Sequence, residues 1–362
     1  MEKWNKNGTQ ARQDHMARGI TERIRQDATN GGSILLPGGK LPSLRALAEH
    51  YRCGLATVQR AIDRLETEGL LRVVRGRGTF LLGSTDAPAR RKSKMLGAIL
   101  LEGSFMHEFH SRKEMYLADG WLFSIYDATP DHQSPEKERL FLENANTQNF
   151  AGVIIEASPY QPTNQELFLR LRSDGCKVIH TVPYLDDMSG ECYFLVDYQQ
   201  NAELATLKVA LAGYKEILYV GRPRTAPHVG LIEKGIANIV ADADLHVLGR
   251  LCVQHKETEA ILQALSSLPR QSAILCFDTE LGEIVRYCCG KLGRTIPKDF
   301  GLVSVINSFA VNPQHSHVVN DPGTILTDIL AYAMDNRRSP FENIHRLYRG
   351  TFCDLGTLQK TS

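Results

Sequence analysis

Residues 33–82 read SILLPGGKLPSLRALAEHYRCGLATVQRAIDRLETEGLLRVVRGRGTFLL, and the rest of the chain is best approached outward from them. Ser43, after Pro42, carries a hydroxyl able to accept from the first unpaired amides of a helix. Leu44, Leu47 and Ala48 then fall on one helical face. Arg52–Gly54 interrupts the pattern, and Val58, Ile62 and Leu65 resume it as a second short helix. Two short helices about a tight turn form a helix-turn-helix, whose second helix offers its first residues to the major groove. Leu71–Val74 and Thr79–Leu82 flank the turn Arg75–Gly78, which predicts a two-stranded wing. Upstream, Met16, Ile20 and Ile24 predict an amphipathic helix over roughly 12–28, ended by Asn30, Gly31 and Gly32.

Charge supports the same reading. The net charge of +1 over 362 residues hides an asymmetry. Up to residue 94 there are 18 Lys/Arg against 9 Asp/Glu, whereas the remainder holds 24 against 32. A basic end on an acidic body is the layout expected when only the first part meets a polyanion. Thr57, Gln59 and Arg60 stand where side chains reach base edges or flanking phosphates, and Arg45 near the start of the preceding helix joins them. In the wing, Arg75 and Arg77 lie among glycines, and with Gly78 and Thr79 they can approach phosphates or the minor groove. One such arginine alone would be an ordinary solvated charge. Their occurrence together on a helix pair and a wing points to double-stranded DNA.

LPSLRALA (41–48), TVQRAIDRLETEGLL (57–71) and RGRGTF (75–80) resemble the GntR family of winged-helix regulators. Three positions depart from the usual pattern: Leu44 replaces an acid, while Leu55 and Gln59 replace arginines. Glutamine favours adenine and arginine guanine, so the departure at 59 implies a different operator sequence.

Residues 84–94, STDAPARRKSK, are small, polar and basic, and read as a linker between a DNA-binding domain over 1–83 and a body over 95–362. In the body, apolar runs alternate with amphipathic segments. The runs are LGAILL (96–101), WLFSIYD (121–127), AGVIIEA (151–157), KVIHTV (177–182), YFLVD (193–197), EILYVG (216–221), AILCF (273–277) and GLVSVI (301–306). Helical patterns cover 134–148, 164–174, 200–212, 228–241, 257–267 and 279–292. The fold class is therefore α/β: parallel sheets flanked by helices, plus a small α+β winged helix. Ligands of such sheets bind beyond the carboxyl ends of the strands.

SPEKERLFLENANTQNFAGVIIEAS (134–158), LVDYQQNAELATLKVALAGYKEILYVG (195–221) and AILCFDTELGEIVRYCCGKLGRTIPKDFGLVSVIN (273–307) resemble the LacI-type, periplasmic-binding-protein-like sensor. The resemblance implies one lobe over 95–195, a second over 197–306, and returns between lobes near 310 and 340. Arabinose-type repressors join the same two modules. Candidate ligand-binding residues at strand ends are Glu102, Ser104, Phe105, Asp127, Glu156, Tyr184, Asp197, Arg222, Asp278 and Asn307. Carboxylates, amides and guanidiniums suit a polyhydroxylated ligand, and an aromatic face can stack on a sugar ring. Sugar-sensing relatives place an acid, an arginine and an acid near 182, 232 and 306, where this chain has Val182, Ile232 and Ile306.

Together these readings predict a DNA-binding transcriptional regulator, a repressor controlled by a small polar metabolite such as a sugar, acting as a homodimer. The alternative is a ligand-independent DNA-binding protein whose sensor-like body serves dimerisation alone. No cofactor, metal or catalytic residue is expected: G-x-S-x-G, Walker and H-E-x-x-H patterns do not occur. His107 with His110 and His315 with His317 have metal-compatible spacing and read as solvent-exposed histidines; Cys288–Cys289 reads as core-facing. Eight cysteines without a C-x-x-C pair, a polar start and no apolar run of ~20 residues predict a reduced cytoplasmic protein.

Overall fold

The computed structural model describes residues 6–29, 34, 40–68, 70–74, 78–81, 93–100, 108, 111, 119–127, 134–160, 162–224, 226–253, 257–308 and 312–359. Element numbers below cover these residues.

The winged helix follows the sequence closely. Helices α1 (Lys6–Thr29), α2 (Leu44–His50) and α3 (Leu55–Thr67) precede the antiparallel strands β1 (Leu71–Val74) and β2 (Gly78–Leu81). Ser43 caps α2, its hydroxyl accepting from the Ala46 amide at 3.2 Å. Arg52, at φ 51°, turns the chain between α2 and α3. Ile20 and Ile24 from α1 meet Leu47, Val58, Ile62, Leu65 and Leu71 in one buried core. Lys40 bridges to Phe80, and the Leu41 amide donates to the Thr79 carbonyl at 2.8 Å, tying the wing to the start of α2.

The body consists of two six-stranded, mainly parallel sheets. The first, ordered β13-β7-β6-β5-β3-β4, takes β3 (Met95–Leu100), β4 (Leu122–Asp127), β5 (Gly152–Ile155), β6 (Lys177–His180), β7 (Tyr193–Val196) and β13 (His345–Tyr348). Helices α4 (Pro135–Thr147), α5 (Gln165–Ser173) and α10 (Pro322–Met334) flank it. The second, ordered β14-β12-β11-β10-β8-β9, takes β8 (Glu216–Gly221), β9 (His246–Cys252), β10 (Ser272–Asp278), β11 (Phe300–Ile306), β12 (Ser316–Val319) and β14 (Thr351–Cys353). Its helices are α6 (Tyr198–Leu211), α7 (Pro227–Asp242), α8 (Thr258–Ser267) and α9 (Thr279–Lys291). The central strands are buried on both faces, as parallel strands between helix layers must be. In lobe one, Lys177 is 5% exposed and donates to the carbonyls of Tyr332, Ala333 and Asp335 at the end of α10. Burial lowers its ammonium to about 8.

The chain crosses between lobes at 197–198, 320–322 and 349–350. The last two lie later than the expected 310 and 340. Residues 307–315 instead lead to β12 in the same sheet, and 335–344 connect α10 to β13 within lobe one. The three crossings are bound to one another. Asn201 donates to Asn320 Oδ1 at 2.6 Å and accepts from the Gly350 amide at 2.9 Å. Asn320 donates to the Tyr348 carbonyl at 3.0 Å, which also receives the Asp197 amide at 2.9 Å. A side chain at Gly350 would place its Cβ 2.3 Å from Val318 Cγ1, so only glycine allows this approach.

Candidate functional site

Two surfaces carry the chemistry. The first is the outer face of the helix-turn-helix. Val58, Ala61, Ile62 and Leu65 bury one side of α3, which turns Gln59 and Arg60 to solvent, with Thr57 half-buried between them. Arg45 is exposed on the first turn of α2. The Gln59 carboxamide nitrogen donates to Asp63 Oδ1 at 2.7 Å, one helical turn away. That contact holds the Gln59 side chain along its own helix. Gly78 and Thr79 open β2; Gly78 sits at φ 116° with Lys40 packed where a Cβ would be. Arg75 and Arg77 lie outside the described residues.

The second comprises the carboxyl ends of the strands in the two lobes, next to the crossings. On lobe two, Asp278 ends β10 and caps α9: Oδ1 accepts from the Leu281 amide at 2.7 Å. Its Oδ2 accepts from Arg222 Nε at 3.2 Å and Nη2 at 3.1 Å, and Arg222 also reaches Glu280 at 3.4 Å. The predicted residues Asp278 and Arg222 thus meet as a partly buried ion pair at the ends of adjacent strands. Asp197 caps α6 through the Gln200 amide at 3.1 Å, and Arg349 approaches it at 4.0 Å. Asn307 accepts from the Asn320 amide at 3.0 Å. Both therefore belong to the crossings as well as to the cleft wall.

On lobe one, Glu156 follows β5 and is 2% exposed. It stands close enough to Tyr198, at the start of α6, for its charge to join burial in raising the phenol. Asp127 ends β4 beside Leu100. Tyr184 lies deeper, 3% exposed, its hydroxyl donating to Glu191 at 2.9 Å and its ring stacked on His180 at 4.8 Å. Glu102, Ser104 and Phe105 lie outside the described residues, as do His107 and His110.

Sequence reading missed an aromatic cluster at these strand ends, in which Tyr198 and Phe277 are buried and His228 half-buried. The His228 ring, on the first turn of α7, lies 5.1 Å from Tyr198 and 5.8 Å from Phe277. Burial lowers His228 to about 4, so the imidazole is neutral at pH 7. Its Nδ1 has no hydrogen-bond partner among the described residues. The available signal was position: Tyr198 and Phe277 adjoin Asp197 and Asp278. Also missed was Glu138, on the inner face of α4 with Leu142 and Ala145. It accepts from the Ser158 amide at 2.6 Å and from Asn164 Nδ2 at 2.8 Å, holding the loop after β5. Burial lifts its carboxyl to about 7 against those two bonds.

Ile232 is fully buried in the core of lobe two, so no cleft arginine could occupy its position. His315 and His317 are buried rather than solvent-exposed as expected, because His315 has Nε2 2.7 Å from Ser304 Oγ and Nδ1 2.8 Å from Glu283 and His317 Nδ1 lies 2.8 Å from the His315 carbonyl. A serine, histidine and carboxylate in line resemble a hydrolytic triad, but Ser304 is 0% exposed and no substrate could reach it. Cys288 and Cys289 are buried in the core of lobe two.

Comparison with known proteins bears on both domains. Residues 16–81 match the model for bacterial regulatory proteins of the gntR family. The amino-terminal domain is a GntR-type winged helix. The chain is 28% identical to an arabinose metabolism transcriptional repressor of Halalkalibacterium halodurans over 208 residues, 55% of this chain and 54% of that protein. It thus spans about half the length of that relative. A protein of the same description from Geobacillus stearothermophilus is 22% identical over 281 residues, 74% of this chain and 76% of its own. The body has the fold of a periplasmic binding protein/LacI transcriptional regulator from Alkaliphilus metalliredigens, whose structure is complexed with D-xylulofuranose. That likeness has TM-score 0.57 at 18% identity and covers 72% of this chain and 98% of the other. No helix among the described residues is long and apolar enough to cross a membrane.

Proposed function

We propose that this protein is a cytoplasmic transcriptional repressor that binds operator DNA as a homodimer and responds to a small polar metabolite held between its lobes. The observation that carries the reading is one chain joining an exposed α3 face, with Gln59 and Arg60, to a cleft walled by Tyr198, His228, Phe277 and the Arg222–Asp278 pair. The winged helix supplies affinity through phosphate contacts and selectivity through base edges. One winged helix buries too little surface for tight binding, so a dimer on two half-sites supplies the rest. Release needs a metabolite that favours one lobe arrangement over another.

At the strand ends, the partly exposed Asp278 and Arg222 supply an acceptor and donors to a polar ligand, beside the aromatic cluster of Tyr198, His228 and Phe277. Relatives described as arabinose metabolism repressors support a carbohydrate or a close derivative. The protein acts by binding rather than by catalysis.

The test has two arms. Titration of fluorescent random-sequence duplex should show binding that weakens steeply with salt, and binding by residues 95–362 alone of equal strength would refute the assignment. A thermal-shift panel of pentoses, hexoses, sugar acids and glycosides should contain a stabiliser whose effect is lost in Phe277→Ala. A panel without any stabiliser would favour a body that only dimerises, a reading also served by the internal pairing of Asp278 with Arg222.

A further inference from the structure

Phe341, in the loop between α10 and β13, packs against the apolar core of the winged helix. The loop is held by Arg172, near the end of α5, which is only 5% exposed. The Arg172 guanidinium lies 5.8 Å from the Phe341 ring centroid. It donates to the Pro340 carbonyl at 3.3 Å, the Gly190 carbonyl at 2.8 Å and Asn343 Oδ1 at 2.8 Å. Glu191 balances its charge at 3.6 Å and sits 3.4 Å from His180. Burial opposes ionisation of Glu191, but His180, Arg172 and Tyr184 together hold it at about 2. Beside the aromatic plug, a polar cleft of roughly 600 Å³ separates Arg18, Glu22 and Glu68 of the winged helix from Gln165, Asp187 and Ser189 of lobe one. Among the described residues, Phe341 is the hydrophobic side chain of the body that packs against the winged-helix core, and the open cleft beside it leaves room for a pivot rather than a fused interface.

The opposite end of α5, where Gln165 borders the same cleft, is tied to the loop after β5 that carries Glu156. Asn164 precedes the helix and donates to Glu138 Oε1 and to the Pro135 carbonyl, both at 2.8 Å. Glu138 in turn holds the Ser158 amide, in the loop that follows β5 and Glu156. Between these ends, Phe168 packs edge-on against His180 and Tyr184 at 5.1 and 5.4 Å. Nine helical residues span about 13 Å.

We propose that α5 is a relay from the loop after β5 to the winged helix, with Phe341 as its pivot and the winged helix of the same chain as the partner it moves. Lobe one, rather than the linker, then sets the direction in which the α3 face points. The relay stands beside the functional reading and requires no particular ligand. Spatial continuity alone does not establish coupling; a double-mutant cycle does.

The experiment is hydrogen exchange on the full chain, comparing wild type, Glu138→Gln, Phe341→Ala and the double variant. Glu138→Gln should change exchange of the α5 amides, and of α1 between residues 17 and 28, by about threefold or more. In the Phe341→Ala background the α5 response should persist and the α1 response vanish, while Phe341→Leu should retain it. A silent α5, a silent α1 beside a responsive α5, or an α1 response that survives Phe341→Ala would each overturn the relay. If Glu138→Gln does not fold, Asn164→Ala perturbs the same end and carries the same expectations. Random-sequence duplex binding should be equal in wild type and Phe341→Ala, because Gln59 and Arg60 are exposed and do not line the cleft beside Phe341. Absence of duplex binding in wild type would refute the DNA-binding reading and leave the relay standing.

Discussion

Replacing Glu138 by glutamine should change how lobe one responds to pH. The side chain is 3% exposed, and burial lifts its carboxyl to about 7, against an ordinary value of 4.5. Between those pH values the folded chain holds a proton that the unfolded chain has released. Stability therefore falls as pH rises through this window and levels off above it. At about 1.4 kcal/mol per pKa unit, the loss across the window is about 3 kcal/mol. Glutamine has no titrating proton, so Glu138→Gln should remove that slope. Its amide nitrogen must face either Ser158 N–H or Asn164 Nδ2, both donors, at a pH-independent cost of roughly 1–3 kcal/mol. The variant should be less stable than wild type near pH 5 and equal or better near pH 8. Trp121 is buried in lobe one, and Trp4→Phe leaves it as the single tryptophan. Urea unfolding followed by its fluorescence at several pH values gives the two profiles. Parallel profiles would refute the argument, because they would mean that Glu138 does not take up a proton on folding.

How much could be read in advance depended on how local the determinants were. Ser43, the break at 52–54 and the Val58, Ile62, Leu65 stripe act within a few residues, and the winged helix appears where they place it. Doubly buried strands such as AILCF and GLVSVI were legible as unbroken apolar runs. β9, HVLGRLC, is an edge strand whose side chains alternate between exposed and half-buried, so it carries no such run. The strands β12, β13 and β14 have only three or four residues each and owe their place to pairing with distant strands. The cleft was legible as strand ends but not as partners. That Asp278 meets Arg222, or that Asn201 and Asn320 bind three crossings, depends on side chains far apart in the chain. Glu138 was hidden for a similar reason: an acid in the first turn of a helix normally faces water and the helix dipole. Here the loop after β5 folds over it.

Three further pairs of substitutions test separate parts of the molecule. Asp278→Ala removes both the α9 cap and the Arg222 partner, and should lower the stability of lobe two by roughly 1–3 kcal/mol in thermal unfolding; Asp278→Asn, which keeps the cap, should cost less, and equal losses would contradict the capping role. Gly350→Ala should destabilise by roughly 1–3 kcal/mol because its Cβ would meet Val318 and Asn201, whereas Gly290→Ala, in α9 with open space around it, should stabilise by up to about 1 kcal/mol; the same sign for both would refute the close-approach argument. The last concerns the reading face. Asp63 holds the Gln59 carboxamide nitrogen, so the bond both limits the rotamers of Gln59 and sets a negative charge near any phosphate on that side. On the proposed role of Gln59 as a base reader, Gln59→Ala should cost about 1–3 kcal/mol of discrimination at one base pair while leaving random-duplex affinity nearly unchanged. Asp63→Ala removes the charge and the tether together, so random-duplex affinity should rise while discrimination falls. Enrichment from a randomised duplex pool, with binding measured across salt, separates the two effects. If Gln59→Ala weakens every sequence equally, the residue contacts the backbone rather than a base, and sequence reading must pass to Arg60 or the wing.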